Sequence, residues 1–214
     1  MKIVPAILAS TKDEFFFLLR QAESFTDYVQ IDLMDGFFVP TRSFPEEKIN
    51  SVETSLSFEL HLMVKHPAAF MSRIHNQHIK KVIFHFESSV KHLDFITHLK
   101  RLGIAPGLAL NPDTTISQIR ELCQHVDTLL FLTVTPGKYG SPFRPEVIDK
   151  IAGSRKAFPD KTLAVDGGVS LDNLKTFLDI GVDYVCVGSR IFLNDNPGKS
   201  YNTFTKKLAE LEIK

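Results

Sequence analysis

The chain has 214 residues, 43% of them hydrophobic, and its 25 Lys plus Arg are matched by 25 Asp plus Glu. That length allows one sizeable core or two small ones, and the balanced charge argues against a nucleic-acid partner or an acidic membrane surface. No run of ~18 apolar residues marks a membrane span, Met1-Lys2-Ile3-Val4-Pro5 lacks the apolar core of a secretory leader, and Cys123 and Cys186 have no metal-type spacing, so the expectation is a cytoplasmic chain in a reducing compartment.

In chain order, residues 3–9 are a short apolar run, and Ser10-Thr11 can cap a helix over 11–24. The next strand, 28–34, is unusual. Side chains alternate along a strand, so Gln30, Asp32 and Met34 share one face while Val29, Ile31 and Leu33 share the other. It breaks at Asp35-Gly36, a turn signal. Pro45 opens a short helix. Residues 57–64 repeat the inverted pattern, with Glu59, His61 and Met63 on one face and Phe58, Leu60 and Leu62 on the other. Pro67 opens the next helix. A strand at 82–86 and a helix at 88–101 follow, then a strand at 105–110 and a helix at 115–124. The strand at 128–134 runs into a Gly- and Pro-containing loop, 135–142, and a helix to about 156. Strand 162–165 ends in Asp166-Gly167-Gly168, before a helix at 171–178. Strand 182–187 ends in Gly188-Ser189-Arg190, and a last helix occupies 199–212.

Strand and helix thus alternate eight times with no long linker, which predicts a parallel sheet with right-handed crossovers. Eight units fit a (β/α)8 barrel, here one domain over residues 1–214. An open doubly wound sheet would carry a Gly-rich turn after its first strand, and Ala6 to Lys12 contains no glycine. A barrel also accounts for the inverted strands. Outward side chains meet helices, whereas inward side chains near the strands' C-terminal ends meet a substrate. Gln30, Asp32, His61 and Asp166 then converge on one mouth, with Asp32 and Asp166 facing each other across it.

Two opposed carboxylates beside a histidine suit acid and base work on the two faces of a substrate. With His61 and the amide oxygen of Gln30 they equally suit a divalent metal. Glycine gathers where three late strands end: Gly137 and Gly140, Gly167 and Gly168, then Gly188-Ser189. Backbone N–H groups of such loops bind phosphate, and in barrels that site follows strands 7 and 8. Met34 and Met63 end their inward rows and offer an apolar floor under a sugar. His85 reads as structural, and the phenylalanines, Phe15-Phe16-Phe17 among them, as mostly core, with an exposed patch as a surface for self-association into a homo-oligomer.

These residues resemble the ribulose-phosphate 3-epimerase family nearly end to end. The likeness rests on Pro5-Ala6-Ile7-Leu8, Ile31-Asp32-Leu33-Met34-Asp35-Gly36 with Phe38-Val39-Pro40, His61-Leu62-Met63-Val64, Gly107-Leu108-Ala109-Leu110-Asn111-Pro112, Thr133-Val134-Thr135-Pro136-Gly137, Val165-Asp166-Gly167-Gly168-Val169 and Val187-Gly188-Ser189. The resemblance implies inversion of carbon 3 of a small sugar phosphate, ribulose 5-phosphate to xylulose 5-phosphate, through an enediolate. It implies Asp32 and Asp166 as the acid/base pair. It also implies one divalent metal (Zn, Fe, Mn or Co) on Asp32, His61 and Asp166, with Gln30 standing where the family has a histidine ligand. The other departures are Ala6 for a serine that contacts substrate, and Gly137-Lys138-Tyr139-Gly140-Ser141 for a Gly-Phe-Gly-Gly-Gln loop. They leave two alternatives: epimerisation of another ketose phosphate such as allulose 6-phosphate, or a weakly active barrel that binds a phosphate ligand. The related barrel decarboxylases are disfavoured, because their Asp-x-Lys-x-x-Asp motif requires Lys at Met34.

Overall fold

Eight parallel strands close on themselves in chain order: β1 (Lys2–Ile7), β2 (Tyr28–Met34), β3 (Ser57–Met63), β4 (Ile79–His85), β5 (Ala105–Leu110), β6 (Thr128–Leu132), β7 (Thr162–Asp166) and β8 (Tyr184–Val187). β8 pairs with β1, so the sheet has no free edge. This is the (β/α)8 barrel expected from the eightfold alternation. The computed structural model describes residues 1–137 and 140–213.

Helices cover the outside: α1 (Lys12–Ala22), α2 (Pro67–Met71), α3 (His92–Arg101), α4 (Ile116–Ile119), α5 (Val147–Ala157), α6 (Leu174–Asp179), α7 (Ser189–Phe192) and α8 (Pro197–Glu212). Thr11 starts α1 by accepting from the Glu14 backbone N–H, while the Glu14 carboxylate accepts from Ser10 N at 2.8 Å. The outward rows of the inverted strands, Val29, Ile31 and Leu33 with Phe58, Leu60 and Leu62, are fully buried against this layer. Phe15 of α1 stacks on Phe44 at 4.0 Å; truncating such a buried ring costs ~3–5 kcal/mol.

Several elements depart from the expected bounds: the strands expected at 128–134 and 182–187 are the shorter β6 and β8, the helix expected at 171–178 is α6, and α7 is not among the expected elements. β4 begins at Ile79, not 82, because Lys81 points inward to a buried carboxylate and so is tolerated within a strand. The helix expected from 88 begins at His92. Ser88 Oγ instead donates to Val64 O and Ser89 N to Lys65 O, tying that segment to the loop after β3. The expected 115–124 helix is α4 followed by a separate 3-10 turn, Leu122–Gln124.

Inside the barrel, Val4, Ala6, Ile83, Ala109, Leu130, Leu132, Ala164, Tyr184 and Cys186 pack together. At the base, the fully buried Glu59 carboxylate accepts from Tyr28 OH at 3.1 Å and Tyr184 OH at 3.0 Å, and pairs with Lys81 Nζ at 3.1 Å. That charge is met on every side, as a buried ion requires. No helix among the described residues is long and apolar enough to cross a membrane.

Candidate active site

Strand register sets the mouth. Asp32 pairs beside His61, and Met34 beside Met63, between β2 and β3. Asp166 ends β7 and reaches the same point from across the opening. His61 Nδ1 lies 3.0 Å from Asp32 Oδ1 and 3.3 Å from Asp166 Oδ2. Gln30 Nε2 lies 2.8 Å from each of the same two oxygens. The two carboxylates therefore share one pair of donors.

Asp35 fixes the loop above β2. Its Oδ1 accepts from the N–H groups of Phe37 and Phe38, and its Oδ2 from Lys65 N at 2.7 Å. Gly36, at φ +78°, supplies the turn. The loops after β6 and β7 are joined by Thr133, whose N–H donates to Asp166 O and whose hydroxyl donates to Gly167 O.

A cavity of about 310 Å³ opens over the pair. Asp32 and Asp166 lie in its wall with Ala6, Met63, Gly137, Gly140, Ser141, Gly167, Gly168, Gly188 and Ser189. Met34, at the C-terminal end of β2, is buried beside the cavity with Met63 and Val39. Gln30 and His61 are wholly buried under the carboxylates. Of the altered loop, Lys138 and Tyr139 lie outside the described residues.

The electrostatics are those of a shared anionic site. Burial, then the neighbouring Asp166 charge, raises the Asp32 pKa to about 6. Burial opposes charge on His61, but hydrogen bonds to Asp166 and Asp32, with their charges, outweigh it and raise its pKa to about 9.

Gln30 is turned the other way from the expectation of an oxygen ligand. Two carboxylates accept only, so the amide presents its NH2 to them. Its oxygen accepts from Cys186 Sγ at 3.0 Å. Among the described residues the group that can hold a metal ion is Asp32, His61 and Asp166, with donor atoms all within 4.8 Å of one another. Two carboxylates and an imidazole suit a divalent first-row ion. The residues present thus fit such an ion with three protein ligands.

The sequence reading assigned no role to His85 or Glu87, yet both belong to this network. His85 Nε2 is 3.0 Å from His61 Nε2, and His85 Nδ1 is 3.2 Å from Glu87 Oε2. Their i, i+2 spacing at the end of an inward row was the available signal.

Comparison with known proteins places this geometry. The sequence profile of the ribulose-phosphate 3 epimerase family matches residues 2–192. A protein of Chlamydia pneumoniae named ribulose-phosphate 3-epimerase is 33% identical, covering 83% of this chain and 80% of its own. One of Schizosaccharomyces pombe with the same name is 29% identical over 92% of this chain and 89% of its own. The Oryza sativa subsp. japonica protein named as the cytoplasmic isoform is 29% identical over 97% and 94%. Among solved structures, 3-hexulose-6-phosphate synthase from Salmonella typhimurium superposes with a TM-score of 0.71 at 17% identity, covering 99% of this chain and 100% of that one. Orotidine 5'-monophosphate decarboxylase from Sulfolobus solfataricus gives 0.69 at 13%, covering 99% of both. Those two likenesses establish the fold alone, whereas the family match and the named relatives span almost all of the sequence. The chain belongs to the ribulose-phosphate 3-epimerase family.

Proposed function

We propose that this protein interconverts ribulose 5-phosphate and xylulose 5-phosphate by moving a proton between the two faces of carbon 3. The observation that carries the reading is the convergence of Asp32 and Asp166 on a shared pair of donors beneath one cavity. In one direction an ionised carboxylate removes the carbon 3 proton. The electron pair moves into the carbon 2 carbonyl and gives an enediolate. The opposite carboxyl then delivers a proton to the other face. In the reverse direction the two exchange roles, so the pair must hold one proton between them. The raised pKa of Asp32 beside a second carboxylate supports that mixed state.

His61 and Gln30 keep the carboxylates oriented and near one another from below. Asp32, His61 and Asp166 would hold a divalent ion, which would supply positive charge against the oxygens that become negative during proton removal. On the far side, the backbone amides around Gly167, Gly168, Gly188 and Ser189 receive the phosphate. Gly168 must be glycine, because at φ +61° an added Cβ would press on the Phe143 side chain at 3.0 Å. Met63 forms the apolar floor.

Ala6 lines the cavity with a methyl group, which favours testing longer ketose phosphates beside the pentose. The experiment is exchange of the carbon 3 hydrogen of ribulose 5-phosphate in heavy water, with added metal and with chelator, and with allulose 6-phosphate in parallel. Exchange of the pentose hydrogen is expected. Its absence at saturating metal would overturn the activity, and faster exchange of the hexulose would reassign the substrate.

A further inference from the structure

We propose that His85 and Glu87 are positioning residues, which fix the nitrogen that His61 turns toward the two carboxylates. The argument runs inward from Glu87. Its Oε1 accepts from the Asn111 backbone N–H at 3.0 Å and from the Thr114 hydroxyl. Its Oε2 faces His85 Nδ1 at 3.2 Å. An ionised carboxylate only accepts, so His85 carries its hydrogen on Nδ1. A neutral imidazole then has its lone pair on Nε2, and that atom sits 3.0 Å from His61 Nε2. One of two facing nitrogens must donate, so His61 carries a hydrogen on Nε2. The nitrogen left facing Asp32 and Asp166 is Nδ1, free to present either a proton or a lone pair to them.

His85 meets a carboxylate at Nδ1 and a ring nitrogen at Nε2, so a single hydrogen, on Nδ1, satisfies both contacts. Burial opposes charge on Glu87, but hydrogen bonds from His85 and Thr114 outweigh it and lower its pKa to about 2. Rigid neighbours hold the outer end. Lys150 Nζ donates to the carbonyls of Asn111, Pro112 and Thr114, clamping the loop that supplies two of the Glu87 donors. The Phe38 ring covers His85 at 4.7 Å between centroids. A histidine that ligates a metal is oriented in this way by what its second nitrogen touches. The inference rests on the epimerase reading only in giving His61 its place beneath the reacting carboxylates.

The discriminating variant is Glu87→Gln, which keeps shape and reverses one polarity. The Asn111 N–H is a backbone donor and cannot turn, so the amide oxygen stays beside it and the NH2 faces His85 Nδ1. His85 must then carry its hydrogen on Nε2, and His61 must move its own to Nδ1. The measurements are Zn²⁺ affinity of the full-length, metal-free protein by chelator competition, and the histidine tautomers from long-range ¹H–¹⁵N spectra. Wild type is expected to show the His85 hydrogen on Nδ1. Glu87→Gln should show it on Nε2 and bind Zn²⁺ about 10- to 100-fold more weakly. A wild-type His85 hydrogen on Nε2, or Zn²⁺ affinity unchanged in the variant, would overturn the proposal. Should that variant not fold, His85→Gln and His85→Leu make the same comparison. The first keeps an acceptor for His61 Nε2–H and the second does not, so equal Zn²⁺ affinities would refute it. None of these readouts uses a sugar phosphate. They can therefore fail while carbon 3 exchange persists, or hold if exchange is absent.

Discussion

Replacing Gln30 by leucine separates two jobs that a residue at this position can do. The side chain sits wholly buried beneath the site and gives one hydrogen to Asp32 Oδ1 and one to Asp166 Oδ2, each at 2.8 Å. Leucine fills similar space and donates nothing. A net contribution of roughly 1.5 kcal/mol for each hydrogen bond to a charged group puts the loss near 3 kcal/mol. The electrostatics give the same size from another side. The ligand atoms lie within 4.8 Å of one another, and two unit charges at that separation repel by about 3.5 kcal/mol at an effective dielectric of ~20. The two figures describe one effect and do not add. We therefore expect Gln30→Leu in chelator at pH 7.5 to lose about 3 kcal/mol of unfolding free energy in urea. We also expect Zn²⁺ to bind the variant at least as tightly as wild type, because leucine removes a competing donor and no ligand lone pair. Zn²⁺ should then narrow the stability gap, since the ion takes over the charge compensation. The reasoning fails if Zn²⁺ affinity drops tenfold or more while stability moves by less than about 1 kcal/mol. That result would mean the amide oxygen is a ligand and its observed turn toward Cys186 is irrelevant to the working site.

Three more outcomes follow from the same geometry. Asp166→Asn should lower carbon 3 exchange about 10²- to 10⁴-fold while inorganic phosphate still binds, because the glycine loops are untouched; full activity would remove Asp166 from the reaction. Gly167→Ala should cost about 2–4 kcal/mol in a urea titration, since the backbone sits at φ +97° and the new methyl would overlap the Val134 side chain; a loss under 0.5 kcal/mol would contradict that. Glu87 binds its proton less readily folded than unfolded, so its contribution is whole above pH 4.5 and fades as pH falls toward 2. With a quarter of its side chain exposed, we take the contribution as about 2 kcal/mol after screening. The stability difference between wild type and Glu87→Gln should shrink over that acid range, and a constant difference would show that the carboxylate charge contributes nothing.

Much of the barrel is legible because its strands have two different neighbours. Val29, Ile31 and Leu33 face helices and are apolar; Gln30 and Asp32 face the interior and are polar, with Met34 ending their row. An alternation of that kind, repeated in β3, identifies both the strand and its functional side. The late glycines are legible for a similar reason, since several loops of one composition end neighbouring strands. What composition and spacing do not carry is the direction of a polar group once it is placed. Gln30 can offer an oxygen or an amide hydrogen, and only the proximity of two carboxylates and of Cys186 selects between them. His85 resembles a structural strand residue until Glu87 and His61 are seen at its two nitrogens. Lys81 hides the start of β4, because a lysine inside a barrel strand makes sense only once Glu59 stands beside it.

The two polar layers inside the barrel explain why one carboxylate serves the fold and two suit the proposed chemistry. Glu59 at the base meets Lys81 and two tyrosine hydroxyls, so its charge is matched where it stands. Asp32 and Asp166 meet one imidazole and one neutral amide, and the cavity leaves part of their surface uncovered. Two carboxylates sharing so little positive charge hold a proton readily and attract a cation, the two properties that proton removal next to a carbonyl requires. The loops proposed for phosphate, Gly167-Gly168 after β7 and Gly188-Ser189 after β8, line the cavity together with Arg190. A bound sugar phosphate would thus keep its anionic end away from the aspartates and bring its uncharged carbons over them. Exchanging the two ends would set phosphate against carboxylate, so the charge pattern favours the orientation that the proposed proton transfer at carbon 3 needs.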